Sequence, residues 1–236
     1  MGWPRREQPD ARLCNLGDLG AAARGMRMSG PIRRIAVVAP SSRMSPEVVG
    51  RVHALAAGLY PDRTPTIAFN PQCLASSGHF AGDDATRAAA FIEAANDDGH
   101  DAVWFARGGY GAGRLAELVL PRLNSVARRK TYLGYSDGGA LLGALYGQGF
   151  QGIAHGPMAQ DVLREGGEAA IARALAWLVD RDPDALEPSL RDAPRAAAFN
   201  MAILSSIIGT PLQPDLAGHV LMLEEVSEPM YRIDRA

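Results

Sequence analysis

Between Ile32 and His155 short apolar runs alternate with helical patterns, and this alternation restricts the fold more than any other feature of the chain. Ile32 to Pro40 reads as a strand near 33 to 39, a brief apolar run closed by proline, as in a parallel sheet buried on both faces. Pro46-Glu47 then opens a helix to about Leu59, and Thr66-Ile67-Ala68-Phe69 follows as a second short strand. Asp83-Asp84 opens another helix, with Ala85, Ala88, Ala89, Ile92 and Ala95 on one face, Arg87 and Glu93 off it, and Gly99 past its end. Ala102 to Phe105, Thr131 to Gly134 and Gly152 to His155 continue as strands, with helices over Gly113 to Leu120 and Gly139 to Tyr146 between them. Repeated strand-helix units imply an α/β domain, Rossmann-like, whose parallel sheet carries helices on both faces. Reactive groups should then gather at the carboxyl ends of the strands.

The rest of the chain reads differently. Residues 1–30 mix prolines, glycines and charges without periodicity, as a flexible N-terminal extension would, with Met26 or Met28 as the working start. The α/β domain occupies 31–165. Residues 166–195 hold an alanine-rich helix with Trp177, then Asp180-Arg181-Asp182-Pro183-Asp184, a helix and linker. A smaller, β-rich C-terminal domain starts near 196 and includes the strand-like Gly218 to Leu223; at 196–236 it is short enough to be incomplete. Such a domain leaves a strand edge and an apolar face uncovered, so aggregation or strong dimerisation is expected.

Composition excludes some partners. At 47% hydrophobic and 21% charged residues, with a formal net charge of −2, the chain has no basic field to draw nucleic acid or anionic lipid. No apolar run approaches the roughly 18 residues of a membrane span, and the start lacks an apolar signal core. Cys14 and Cys73 have neither metal-ligand nor redox spacing, which fits a cytoplasmic protein without metal or cofactor. Lys130 stands alone among arginines and is assigned no functional role.

Four segments carry chemistry. Gly134-Tyr135-Ser136-Asp137-Gly138 satisfies Gly-x-Ser-x-Gly at a strand-to-helix turn, where a sharp bend lifts a nucleophilic serine clear of the sheet and aims the next backbone N–H at the same space. Arg107-Gly108-Gly109-Tyr110-Gly111 follows another strand end, and its paired glycines let the backbone approach a ligand, or serve a plain turn. His155 follows a third strand, either as the general base of a serine triad or as a group that orders the site by hydrogen bonding; the second is preferred. Glu224 and Glu225 end the last strand on opposite faces, and one of them could orient a histidine.

Together these segments resemble the serine LD-carboxypeptidases, a family that includes muramoyl-tetrapeptide carboxypeptidases and microcin C immunity peptidases. The resemblance also rests on Ala39-Pro40-Ser41-Ser42, His155-Gly156-Pro157-Met158, Gly209-Thr210-Pro211 and the stretch from Leu223 to Arg235. It implies that Ser136 is the nucleophile, that Glu224 is the acidic triad member, and that the N–H groups of Asp137 and of Gly108 or Gly109 form the oxyanion hole. Arg107, Tyr110 and His155 are the candidate substrate-binding residues. The implied reaction is release of the terminal D-alanine from a murein tetrapeptide in cell-wall recycling, by acyl-enzyme chemistry, in a homodimer. The family's triad histidine lies beyond the stretch that ends at Arg235, so the chain as given is expected to be inactive or nearly so. An α/β-hydrolase esterase and a non-catalytic truncated remnant are the alternatives.

Overall fold

The computed structural model describes residues 14–18, 34–190, 193, 195–226 and 228–235. Five parallel strands form the main sheet: β2 (Arg34–Val38), β3 (Thr66–Phe69), β4 (Ala102–Phe105), β5 (Thr131–Gly134) and β6 (Ile153–His155), in the order β3-β2-β4-β5-β6. All are three to five residues long; β4, β5 and β6 are buried throughout and β2 at every position but Arg34, as strands covered by helices on both sides must be, whereas the edge strand β3 buries only Ile67.

Side chains leave the two faces alternately. Ala36, Val38, Val103, Phe105 and Tyr132 join one core with α2 (Asp84–Asn96) and α4 (Gly138–Gly147). Ile35, Val37, Trp104, Leu133 and Ala154 join the other with α1 (Glu47–Leu59) and α5 (Gly167–Leu175). Ile35, Phe105 and Leu133 are wholly buried, each contributing about 1.5–3 kcal/mol of transfer free energy. Between β4 and β5 the run at 113–122 consists of tight helical turns around the single turn α3 (Ala116–Val119), a looser element than the helix expected there.

The parallel α/β sheet with helices on both faces matches the expected fold class, and so does a small β-rich C-terminal part. There β7 (Arg195–Asn200) and β8 (Val220–Glu224) pair in parallel, and α6 (Met201–Ile207), which connects them, packs on α4. Val220, Leu221 and Leu223 of β8 are each 44–47% exposed.

Three local readings are corrected. Cys14–Asp18, expected within a flexible extension, form β1, which runs antiparallel to both β6 and β7 and so joins the two parallel groups; the remainder of 1–33 lies outside the described residues. The alanine-rich helix expected within 166–195 is present as α5 and its helical continuation through Asp180, with Ile171, Leu175, Leu178 and Val179 in the core beneath β2 and β4, while Ala185 of the stretch expected as linker is buried in the same core. Ala85 and Ala89 face solvent while Arg87 is buried, because the helix turns its charged residue under the neighbouring loops.

Candidate active site

Chain order reverses between β2 and β4, since β3 lies on one side of β2 and β4 on the other. Open α/β sheets bind ligands at such a switch. The loops that leave β2 and β4 are Ala39-Pro40-Ser41-Ser42 and Arg107-Gly108-Gly109-Tyr110-Gly111, and the turn after β5 brings Ser136 beside them.

Ser136 has φ +55°, a left-handed backbone that non-glycine residues adopt rarely and that concentrates at functional turns. The two flanking glycines have a packing reason as well. A Cβ on Gly134 would stand 2.5 Å from Phe105, and one on Gly138 2.7 Å from the same ring, so the turn lies flat on that side chain. Asp137 and Gly138 then start α4 directly, with the Gly139 N–H donating to the Ser136 carbonyl at 2.9 Å.

Gly108 lies against the nucleophile. A Cβ there would be 3.2 Å from Ser136 Oγ and 3.1 Å from Met158 Cε. The Gly108 carbonyl accepts from Ser42 N–H at 3.2 Å, which turns the following Gly109 N–H the opposite way across the trans peptide plane. Gly109 has φ +127°, and a side chain on it would collide with Ser42 Oγ. Tyr110 is 57% exposed beside His79 and Phe80, and Arg107 is exposed with Nη1 donating to the Arg43 carbonyl at 3.1 Å.

The side chain of Asp137 serves the scaffold. Its Oδ2 accepts from the Ser41 hydroxyl at 2.5 Å and from the Ala112 N–H at 2.8 Å, tying both loops to the nucleophile turn. Arg87 ties the same two loops from its helix. It donates to the Pro40 and Gly111 carbonyls and to Asp84, and its guanidinium packs 4.5 Å from the Phe80 ring. These roles for Arg87 and Ser41 are invisible in local sequence, because every partner but Asp84 is far along the chain.

A second group of residues stands at the ends of β6 and β8. His155 is buried, with Nε2 3.9 Å from Glu224 Oε1 and no partner for Nδ1 among the described residues. Glu225 is engaged elsewhere: it accepts from Asn200 Nδ2 at 3.0 Å and from the Ala202 N–H at 3.2 Å, next to the start of α6. Glu224 keeps Oε1 buried and without a hydrogen bond among the described residues, so of the two acids it is the one with an open acceptor at the site. Burial, with Glu225 beside it, pushes the Glu224 carboxyl above its usual range. His219, by contrast, bonds Tyr146 at 2.8 Å near the far end of α4.

Burial pushes His155 down to about 4, so its ring is neutral at pH 7. An unfolded chain takes up that proton near pH 6.5 while the folded one refuses it, so this group's stabilisation falls as pH drops from about 6.5 toward 4. The raised Glu224 works in the opposite direction, gaining stability as pH falls. Thermal melts of wild type and His155→Gln isolate the histidine: the variant should lose about 1–2 kcal/mol less between pH 7 and pH 5. Equal losses in both proteins would refute a buried neutral ring.

Tyr135 and the segment after β6 add contacts that local sequence does not signal. The Trp104 indole N–H holds the Pro157 carbonyl at 2.8 Å, and the Met158 N–H donates to Asp161 at 2.9 Å. Asp161 in turn accepts from the Tyr135 hydroxyl at 3.1 Å, and Arg164 donates to that hydroxyl at 2.8 Å. No group of three or more His, Cys, Asp or Glu side chains is placed to hold a metal ion among the described residues.

Comparison with known proteins identifies the family. The LD-carboxypeptidase N-terminal domain model matches residues 35–156, and the LD-carboxypeptidase C-terminal domain model matches 195–236. A Streptomyces coelicolor protein named as a carboxypeptidase is 34% identical over 224 residues, covering 87% of this chain and 68% of its own length. The murein tetrapeptide carboxypeptidase of Pseudomonas aeruginosa is 34% identical over 152 residues, covering 57% of this chain and 48% of its own. The chain thus spans about two thirds of the first relative and about half of the second. Among solved structures, an MccF-like protein from Bacillus anthracis superposes with a TM-score of 0.67 at 20% identity, over 87% of this chain and 73% of that one. The resemblance read from the motifs is therefore correct, and the chain belongs to the LD-carboxypeptidase family of serine hydrolases.

Proposed function

We propose that this chain carries the site of a serine LD-carboxypeptidase that removes the terminal D-alanine from murein tetrapeptides, acting as a cytoplasmic homodimer in cell-wall recycling. The observation that carries the reading is the strained Ser136 turn packed against Gly108, with the Asp137 and Gly109 N–H groups giving no hydrogen bond to another backbone carbonyl among the described residues. Donors left open beside a nucleophile suit an oxyanion.

In this mechanism Ser136 Oγ bonds the carbonyl carbon that precedes the D-alanine, and the carbonyl oxygen becomes an anion facing the two N–H groups. The C–N bond breaks, the serine proton passes through a base to the departing amine, and water then cleaves the ester to restore Ser136. Glu224 Oε1 is suited to accept the N–H of an imidazole base. Of the sequence's five histidines only His155 faces Glu224, and its closed surroundings suit ordering of the acid better than proton transfer from Ser136. A polypeptide of these 236 residues should therefore bind the tetrapeptide well and turn it over slowly.

Release of D-alanine, followed by mass spectrometry, tests the reading alongside peptide binding to Ser136→Ala. Expected are measurable binding to the variant and slow release by wild type that Ser136→Ala abolishes. Hydrolysis of p-nitrophenyl esters with neither binding nor release of D-alanine would overturn it in favour of an esterase.

A further inference from the structure

An enzyme that removes a single terminal residue has to recognise a free carboxylate, and the suitable group is an arginine held still with donors to spare. Arg107 and Arg164 are both anchored to segments around Ser136, and they are anchored differently. Arg107 is steadied through a backbone carbonyl of another exposed residue, Arg43. Arg164 has a built seat.

That seat begins at Asp161, a buried carboxylate fixed by the Met158 N–H and the Tyr135 hydroxyl. Arg164 Nε lies 3.0 Å from Asp161 Oδ1, and its Nη1 donates to the Tyr135 hydroxyl at 2.8 Å. The guanidinium is therefore set on the residue that immediately precedes the nucleophile. Even so, 64% of the Arg164 side chain is exposed, and a guanidinium carries five N–H donors, more than these two contacts use. Its charge also reaches Glu224, where it opposes the effect of burial on that carboxyl. The remaining donors of the fork are thus exposed beside the Tyr135 hydroxyl, with the charge within electrostatic reach of Glu224.

We propose that Arg164 binds the terminal carboxylate of the peptide substrate, with Tyr135 and Asp161 as the positioning residues that hold its fork. The inference rests on the carboxypeptidase reading above. It makes Arg164 the group that distinguishes a peptide acid from the corresponding amide.

Binding to full-length Ser136→Ala tests it without need of turnover. Calorimetric titration compares a murein tetrapeptide with the same peptide carrying a carboxy-terminal amide. The acid should bind more tightly than the amide. Adding Arg164→Gln should weaken the acid by about 10- to 100-fold, the range of a charge-assisted hydrogen bond pair, and leave the amide within about twofold. Arg164→Lys should restore part of the preference, having charge without the fork. Should Arg164→Gln fail to fold, Tyr135→Phe, which loosens the seat, should reduce acid binding alone. A preference that survives these changes overturns the inference and leaves the carboxypeptidase reading intact. Absence of any preference in Ser136→Ala overturns both.

Discussion

Asp137→Ala is expected to destabilise the protein by about 3–5 kcal/mol, because it removes one buried carboxylate and orphans two buried donors at once. The Ser41 hydroxyl, in a side chain with no exposure, and the Ala112 N–H both end on Asp137 Oδ2. Hydrogen bonds to a charged acceptor are worth about 1.5–3 kcal/mol each, and neither donor has water to fall back on. For a chain of this length the loss corresponds to a fall in Tm of about 10 °C, since 1 kcal/mol shifts such a protein by about 2–4 °C. Asp137→Asn keeps the shape and one acceptor oxygen, so it should cost about half as much. A melt within about 2 °C of wild type for Asp137→Ala would show that the loops hold without it.

The loss would not stay local. Arg87 grips the carbonyls of Pro40 and Gly111 while Asp137 grips the hydroxyl of Ser41 and the N–H of Ala112, so two buried side chains of opposite charge fasten the same pair of loops at adjacent residues. One reaches them from α2 and the other from the start of α4. Whatever binds above Ser136 depends on this double fastening, because those loops also carry Ser42, Gly108 and Gly109.

Local pattern was enough for part of this architecture. The strands β2 to β6 are short apolar runs between turn residues, and parallel strands covered on both faces have no other way to be written. The loops at the site were legible because glycine at 108, 109 and 134 answers a steric demand that no other residue meets. Arg87 was not, because a helix rich in alanine gives a weak preference of face, and its partners are carbonyls at 40 and 111 that no local window contains. Nor was β7: Arg195-Ala196-Ala197-Ala198-Phe199-Asn200 has the composition of a helix, and its extended form comes from pairing with β1 and β8. Phe199 lies so near Gly143 of α4 that a Cβ there would be 3.1 Å from its ring, so the missing side chain at Gly143 lets strand and helix approach. The seat of Arg164 was equally hidden, since Tyr135 and Asp161 are 26 residues apart.

Gly109→Ala carries the second large expectation. With φ at +127° the alanine would be strained before any contact is considered, at a cost of order 1–3 kcal/mol. Its methyl group would also enter the space of Ser42 Oγ, while the Ser42 N–H is what holds the Gly108 carbonyl. The loop must rotate to relieve this, and rotation moves the Gly109 N–H away from the point where an oxyanion would form above Ser136. Removing one such donor typically lowers the acylation rate by about 10²–10³, so D-alanine release should fall by that factor while tetrapeptide binding changes much less. The clash has a single identifiable partner, which provides an internal check. Ser42→Gly removes the colliding hydroxyl, so Ser42→Gly/Gly109→Ala should regain part of the lost rate if displacement of the loop is the cause. If the double variant is as slow as Gly109→Ala and both bind peptide like wild type, the left-handed backbone at 109 is itself what the reaction requires. If Gly109→Ala keeps the full rate, the Gly109 N–H takes no part in holding the oxyanion.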